Sequence, residues 1–292
     1  MARKHSVPIG VLNIAMHTPH SDARYVELIQ ALYRLGKPIR TRGTSGALLG
    51  KLYAESESRS EDAIIGEFYT FLYLDPNEPW FNLQRNEEAI DDELNELKIP
   101  PYLKPHLARF LFVFLAEGHR MYIQLRNGKR SLSIKAAALA IKTLLADERM
   151  DNFGTVEVTV EPARNSVQKI LDMDFLHSLR IELVRPNPDD HQDDEKRLLE
   201  ELSNRHARKM KYELTSERHE PLEVDEEIKT LARVASSNGY VMGSGRDVND
   251  APVELSTRDT PFIERPTFDP KEYTLKRFIL EQARRISRHF AT

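Results

Sequence analysis

The stretch LARFLFVFLAEGHRMYIQL, residues 107–125, decides how the fold is read. Two apolar runs, 107–116 and 121–125, flank Glu117-Gly118-His119-Arg120, and this pattern predicts a β-hairpin. Asn127-Gly128 just beyond it is a second tight-turn signal. Upstream, residues 7–16 are β-branched and apolar and read as a buried strand. Ser21 and Asp22 then open a helix with Tyr25, Val26, Leu28, Ile29, Leu32 and Leu35 at helical spacing, and Gly36 and Pro38 end it. Residues 40–55 read as one bent strand with glycines at 43, 46 and 50. The aromatic run 63–74, with Phe68, Tyr69, Phe71 and Tyr73, reads as its hairpin partner. A short acidic helix is expected over 87–97, before Pro100-Pro101 and Pro105 break the chain.

Downstream, 131–145 has the periodicity of a helix capped by Ser131 or Ser133. A strand at 155–160, a helix at 167–173 and a strand at 178–184 suggest a β-α-β unit. Arg185-Pro186-Asn187-Pro188-Asp189-Asp190 stops that strand. A charged helix over 193–212, another over 224–236, a small glycine-rich hairpin over 239–247 and 253–257, and an amphipathic helix over 273–290 complete the chain. The fold class expected is α+β: a mixed, mostly antiparallel sheet with helices packed on one side, built of ferredoxin-like pieces at 7–74 and 107–184. The expected division is a core domain over 1–185 and a mostly helical C-terminal region over 186–292 carrying the small hairpin.

The chain has 292 residues and a net charge of -4, so no global basic bias advertises nucleic acid, and such binding would need a local patch. It has no cysteine, which excludes disulfides, thiolate zinc sites, iron–sulfur clusters and cysteine nucleophiles. Residues 7–16 contain Pro8, Gly10 and Asn13 with no small-residue cleavage site after them, so no signal peptide is expected. The longest apolar runs, such as 110–116, are too short to span a bilayer. The cytoplasm is the expected compartment, with no membrane partner.

Several constellations hold candidate chemistry. His17 and His20, in His17-Thr18-Pro19-His20, follow the first strand and are candidates for metal ligation or acid–base work, against the plainer reading of a helix-capping loop. Asp189 and Asp190 lie in an acidic cluster able to hold Mg²⁺, against the reading that Asp193 caps the next helix. Pro188-Asp189 with Glu227-Ile228-Lys229 matches a nuclease pattern on paper. Glu227 and Lys229 fall in a helical run, however, where residues two apart do not share a face. Gly239-Tyr240-Val241-Met242-Gly243-Ser244-Gly245-Arg246 is a glycine-rich approach to phosphate or simply a bent hairpin. No cofactor is expected; Mg²⁺ enters only in the nuclease alternative.

Basic residues form the nucleic-acid candidates. Arg40 and Arg42 sit on the second strand. Arg126, Lys129 and Arg130 surround a turn, and Arg284, Arg285 and Arg288 decorate the last helix. A second set, Arg205, Arg208, Lys209 and Lys211, is expected on one late helix. If two such groups converge they form a phosphate-binding stripe despite the net negative charge. The aromatic strand stacks bases only if its outer face is exposed.

The segment Ile181-Glu182-Leu183-Val184-Arg185-Pro186-Asn187-Pro188-Asp189-Asp190, followed by Gly239-Tyr240-Val241 and Leu255-Ser256-Thr257, resembles a poorly characterised bacterial family of domains of unknown function. The resemblance implies sporadic occurrence near mobile elements and a phage-defence or toxin–antitoxin setting, and it carries over no catalytic residues. The expectation is a defence-type component that binds nucleic acid or a partner protein without catalysis of its own. The alternatives are a metal-dependent nuclease or phosphodiesterase using His17, His20, Asp189 and Asp190, and a structural subunit of a multiprotein complex.

Overall fold

A strand buried at every position needs cover on both faces of its sheet. Ile9–Met16 is such a strand. In the computed structural model, which describes residues 3–17, 21–53, 63–74, 78–96, 100–185 and 193–290, it is β1, an inner strand of an eight-stranded antiparallel sheet.

The other long elements follow in chain order: α1 (Asp22–Arg34), β2 (Ile39–Arg42), β3 (Ser45–Leu52), β4 (Ala63–Leu72), α2 (Asp91–Glu96), β5 (Ala108–Leu115), β6 (Arg120–Gln124), α3 (Ile134–Leu145), β7 (Val156–Val160), α4 (Ser166–Leu171), β8 (Phe175–Val184), α5 (Asp193–Asn204), β9 (Lys209–Thr215), α6 (Glu226–Ser237), β10 (Gly239–Arg246), β11 (Pro252–Ser256) and α7 (Leu275–Ser287). The large sheet runs β7-β1-β6-β5-β4-β3-β2, and Ile263–Glu264 pairs with β1 as its eighth strand. A second, four-stranded sheet runs β9-β8-β10-β11.

Strand alternation explains the layering. Leu12, Ile14 and Met16 of β1 and Phe110, Phe112 and Phe114 of β5 point to one face, where α1 and α3 cover them. Ile9, Val11, Leu111, Val113 and Leu115 point to the other face, under α7. Local chemistry starts these helices where the sequence places them. Ser21 accepts from the Arg24 amide, Ser133 from Ala136 and Thr274 from Arg277, each satisfying an amide that the first helical turn leaves open. The second sheet has its own core, in which Leu179, Ile181, Leu183 and Val241 meet Leu198 and Leu202 of α5 and Leu231 and Ala235 of α6.

A buried polar cluster joins the two sheets. Glu161, with no solvent exposure, accepts from Arg120 Nε at 2.8 Å and from the Ser237 hydroxyl at 2.8 Å. Asn13 on β1 donates to the Ser237 carbonyl at 3.1 Å and to Asn238 Oδ1 at 3.3 Å. The C-terminal end of α6 is thereby fixed against the centre of the large sheet. The Arg120 guanidinium also lies 4.7 Å from the centre of the Phe290 ring, just beyond α7. Burial pushes the neighbouring Tyr122 phenol well above the ordinary tyrosine value.

Several expectations need correction. The single strand over 40–55 is a hairpin, because Gly43 adopts φ +53° and turns the chain between β2 and β3. The helix over 87–97 is confined among the described residues to Asp91–Glu96, after a short ladder in which Glu87–Glu88 pairs with Phe81–Asn82. The helix over 193–212 stops at Asn204. Lys209–Thr215 is an edge strand whose exposed and half-buried residues alternate. The strands at 155–160 and 178–184 do not form a β-α-β unit, since β7 edges the large sheet and β8 lies within the second. Among the described residues every strand pair is antiparallel, so the ferredoxin-like pieces, which need a parallel pair, are not formed. The glycine-rich hairpin does form, Gly239–Arg246 pairing with Pro252–Ser256, and its first strand is an inner strand of the second sheet. A division at 185 cuts across both sheets: β8 belongs with the later strands, and α7 returns to cover the first sheet. The apolar stripe of α7 faces inward: Phe278, Ile279, Ala283 and Ile286 are buried against the chain's own sheet.

Removing one member of a buried ion pair costs about 3–5 kcal/mol, whereas replacing both with apolar groups is often near neutral. Urea unfolding of Glu161→Gln is therefore expected to show a loss of about that size, with most of it recovered in the double variant Arg120→Met/Glu161→Leu. A Glu161→Gln loss below about 1 kcal/mol would mean that the pair does not hold the sheets together.

Candidate nucleic-acid interface

On β4 the even-numbered Phe68 enters the core beneath α1 and α3, while Ile65 enters the opposite core beneath α7. Alternation then puts Glu67, Tyr69, Phe71 and Tyr73 on the α7 side. The α7 helix covers Ile65, but Tyr69, Phe71 and Tyr73 remain half-buried. Their rings lie across β3, where Gly46 and Gly50 leave room for them. A Cβ at Gly46 would overlap the rings of Phe71 and Tyr73, and one at Gly50 would overlap Tyr69. The glycines that bend β3 thus also let three aromatic rings lie close to the sheet.

Cations cover these rings. Arg40 on β2 lies 4.8 Å from the Tyr73 ring centre and Lys104 lies 5.0 Å from it. Arg109 on β5, the register partner of Tyr69, lies 5.7 Å from that ring. The row continues towards α7, where Lys51 and Lys276 sit 4.4 Å and 3.9 Å from the Tyr53 ring. The carboxylate within this row is Glu67, which accepts from the Tyr53 hydroxyl. Burial, and then the Glu67 charge, raise the Tyr69 phenol above the ordinary tyrosine value.

The structure brings several of the expected basic residues to this surface. Arg40 and Arg42 lie on the edge strand β2, both exposed. Arg126, Lys129 and Arg130 form a short ribbon, in which Arg126–Asn127 pairs with Arg130–Ser131. Asn127 donates to the Arg109 carbonyl at 2.9 Å, and Arg130 Nη2 lies 2.7 Å from His106 Nδ1. The ribbon therefore borders the Arg109 end of the row. Arg284, Arg285 and Arg288 do not join it. They belong to the far half of α7, towards Phe290, and Arg285 pairs with Glu264 at 2.9 Å.

Among the described residues, Arg40, Arg42, Lys51, Lys104, Arg109, Arg126, Lys129 and Arg130 make no ion pair with a carboxylate. Elsewhere pairing is common: Arg24 with Glu27, Arg85 with Glu93, Arg205 with Glu201 and Arg277 with Glu281. In a chain of net charge -4 this is a local segregation of positive charge.

Of the catalytic candidates, His17 is described: it follows β1, is half-buried, and its amide donates to the Thr155 carbonyl at 3.2 Å. His20, Asp189 and Asp190 lie outside the described residues. Glu227 and Lys229 are on α6, as their spacing indicated, and Lys229 bonds to Glu226. Arg246 of the glycine-rich strand is clamped by both oxygens of Asp250 at 2.8–2.9 Å, which occupies the group that a phosphate would need. Arg208 lies just before β9 and Lys209 and Lys211 lie on it, not on the expected late helix. Lys51, Lys104 and Arg109 were missed by the sequence reading. The signal available was the strand register, which pairs Arg109 with Tyr69 and Lys51 with Glu67.

Fold and surface together define an antiparallel two-sheet α+β protein with a cation-covered aromatic face. Among the described residues no helix is long and apolar enough to cross a membrane. The chain belongs to the family described as a domain of unknown function, DUF4747, whose model matches residues 5–284. No curated protein matches it significantly.

Alkaline difference spectra of the wild type against Tyr69→Phe are expected to place the Tyr69 phenol above the ordinary tyrosine value. With Glu67→Gln in both proteins the same difference should move down towards it. An unchanged titration would mean that Glu67 does not act on this ring.

Proposed function

We propose that this protein binds single-stranded nucleic acid along the open half of the large sheet, as a binding component without catalysis of its own. The observation that carries this reading is that Arg40, Lys51, Lys104 and Arg109 make no ion pair with a carboxylate among the described residues and rest instead on half-buried aromatic rings. Unpaired cations suit phosphates, whose condensed counterions they release. Aromatic rings on a sheet face suit unstacked bases.

The energetics favour the exchange. A cation over an exposed ring contributes about 0.5–1 kcal/mol. A base stacked on that ring contributes about 1–3 kcal/mol. An incoming strand can therefore displace Arg40, Lys104 or Arg109 from its ring onto a phosphate with a net gain. An A-form or B-form duplex keeps its bases stacked and cannot use the rings, so the reading favours single strands. The defence or toxin–antitoxin setting that the family resemblance implies is compatible with such a component and adds nothing to its chemistry.

Fluorescence anisotropy with labelled single-stranded RNA and DNA at several salt concentrations tests the reading. The wild type should bind with a clear salt slope, and each lost phosphate contact should reduce that slope by about 0.7. Arg40→Ala/Arg109→Ala should therefore lower its magnitude by about 1.4. Arg285→Ala, which lies off the row, should leave it unchanged. Salt-insensitive binding, or no binding, would refute the proposal.

A further inference from the structure

The two sheets also enclose a groove of about 760 Å³, remote in sequence from the aromatic row. Its apolar floor is Ala138 and Leu139 of α3 with Val158, Val160 and Val184 from the facing strands. Leu139 is 43% exposed, a large apolar side chain held open at the groove rather than packed. This volume is within the range of small-molecule sites, which pair an apolar lining with a few placed polar groups.

The polar rim carries more positive than negative charge. Lys135 pairs with Asp259 and Arg208 with Glu157. The Glu182 carboxylate, itself nearly buried, is shared by Lys209 at 2.7 Å, Arg258 at 3.7 Å and Lys211 at 4.0 Å. One carboxylate thus serves three cations. Lys142 completes the rim and, among the described residues, its side chain makes no ion pair or hydrogen bond. Partial burial pulls its ammonium below the usual lysine value, against the opposing pull of Glu157. Lys142 lies near the Glu157 carboxylate, which Arg208 already takes, and near the Arg258 guanidinium, so an anion from solution would stabilise both cations. At the same rim the Arg258 guanidinium is stacked on the Tyr240 ring at 3.6 Å, which makes a flat surface beside the charge.

We propose that this groove binds a small organic phosphate of nucleotide size, with Lys142 and Arg258 taking the phosphate and the apolar floor taking the non-ionic part. The occupant is a free small molecule and not a segment of the strand bound on the aromatic row. Lys142 is central to it. The site stands on residues separate from those of the nucleic-acid reading, and either can fail without the other.

Isothermal titration calorimetry of the full chain with ATP, and separately with inorganic pyrophosphate, tests this. The wild type should bind ATP saturably, and pyrophosphate more weakly because it lacks the apolar part. Lys142→Ala removes one charge-assisted contact and should weaken ATP by about tenfold or more. Arg40→Ala/Arg109→Ala should leave ATP affinity unchanged, and a single-stranded oligonucleotide should not compete. Lys142 belongs to none of the three hydrophobic cores, so an unchanged melting temperature in Lys142→Ala would verify that the fold is intact. Lys142→Arg, which keeps the charge, should retain most of the affinity. The proposal is overturned by the absence of saturable ATP binding up to millimolar concentration. It is equally overturned if Lys142→Ala binds ATP as the wild type does, or if an oligonucleotide displaces ATP from the groove.

Discussion

Burying a carboxylate with no access to water costs several kcal/mol unless partners replace its hydration. Glu161 is in that position, and Arg120, from the large sheet, and Ser237, from the end of α6, are the partners that meet it. The three residues come from separate parts of the chain, so satisfying one charge fixes three elements at once. Asn13 adds a second tie between β1 and the same helix end. The relative placement of the two sheets, and hence the walls of the groove between them, follows from this cluster.

The same arginine reaches Phe290 and so marks where α7 ends. The helix has 13 residues and spans about 20 Å at 1.5 Å per residue. Anchored at β6 and reaching Tyr53 through Lys276, it covers the inner part of the sheet face and leaves the outer part of β4 open. The aromatic row stays only half-buried because the covering helix stops short of it. Glycines on β3 lower the rings, and the flanking strands supply the cations. Apolar burial, which makes the core, and charge segregation, which makes the surface, therefore divide a single strand: Phe68 serves the first, and Tyr69, Phe71 and Tyr73 the second.

Much of this was legible in the sequence wherever a period was clean. The hairpin over residues 107–125, α1 with its Ser21 cap, α3 with Ser133 and the amphipathic α7 all declare themselves by spacing. β9 did not, because Lys209, Lys211 and Glu213 fill its exposed positions and continue the charge density of the helix before it. The split of 40–55 was hidden because three glycines in one run fit a bulge as well as a turn, and only the positive φ of Gly43 separates the two. The basic candidates were visible as residues but not as a surface. Arg40 and Arg42 lie far in sequence from Arg109 and Lys104, and only strand register places Arg40 beside Gly46 and Phe71. The groove was less legible still. Lys142 sits on the exposed side of an ordinary helix, and its setting is created by Glu157 and Arg258 from two other segments.

The claim that matters most is that nucleic acid lies on the aromatic row. Photo-crosslinking with a 4-thiouridine-substituted single strand, followed by peptide mapping by mass spectrometry, tests it directly. Crosslinks to Tyr69, Phe71 or Tyr73 are the result this account predicts. Crosslinks confined to the far half of α7 around Arg284 and Arg288, or to the groove around Lys142, would contradict it.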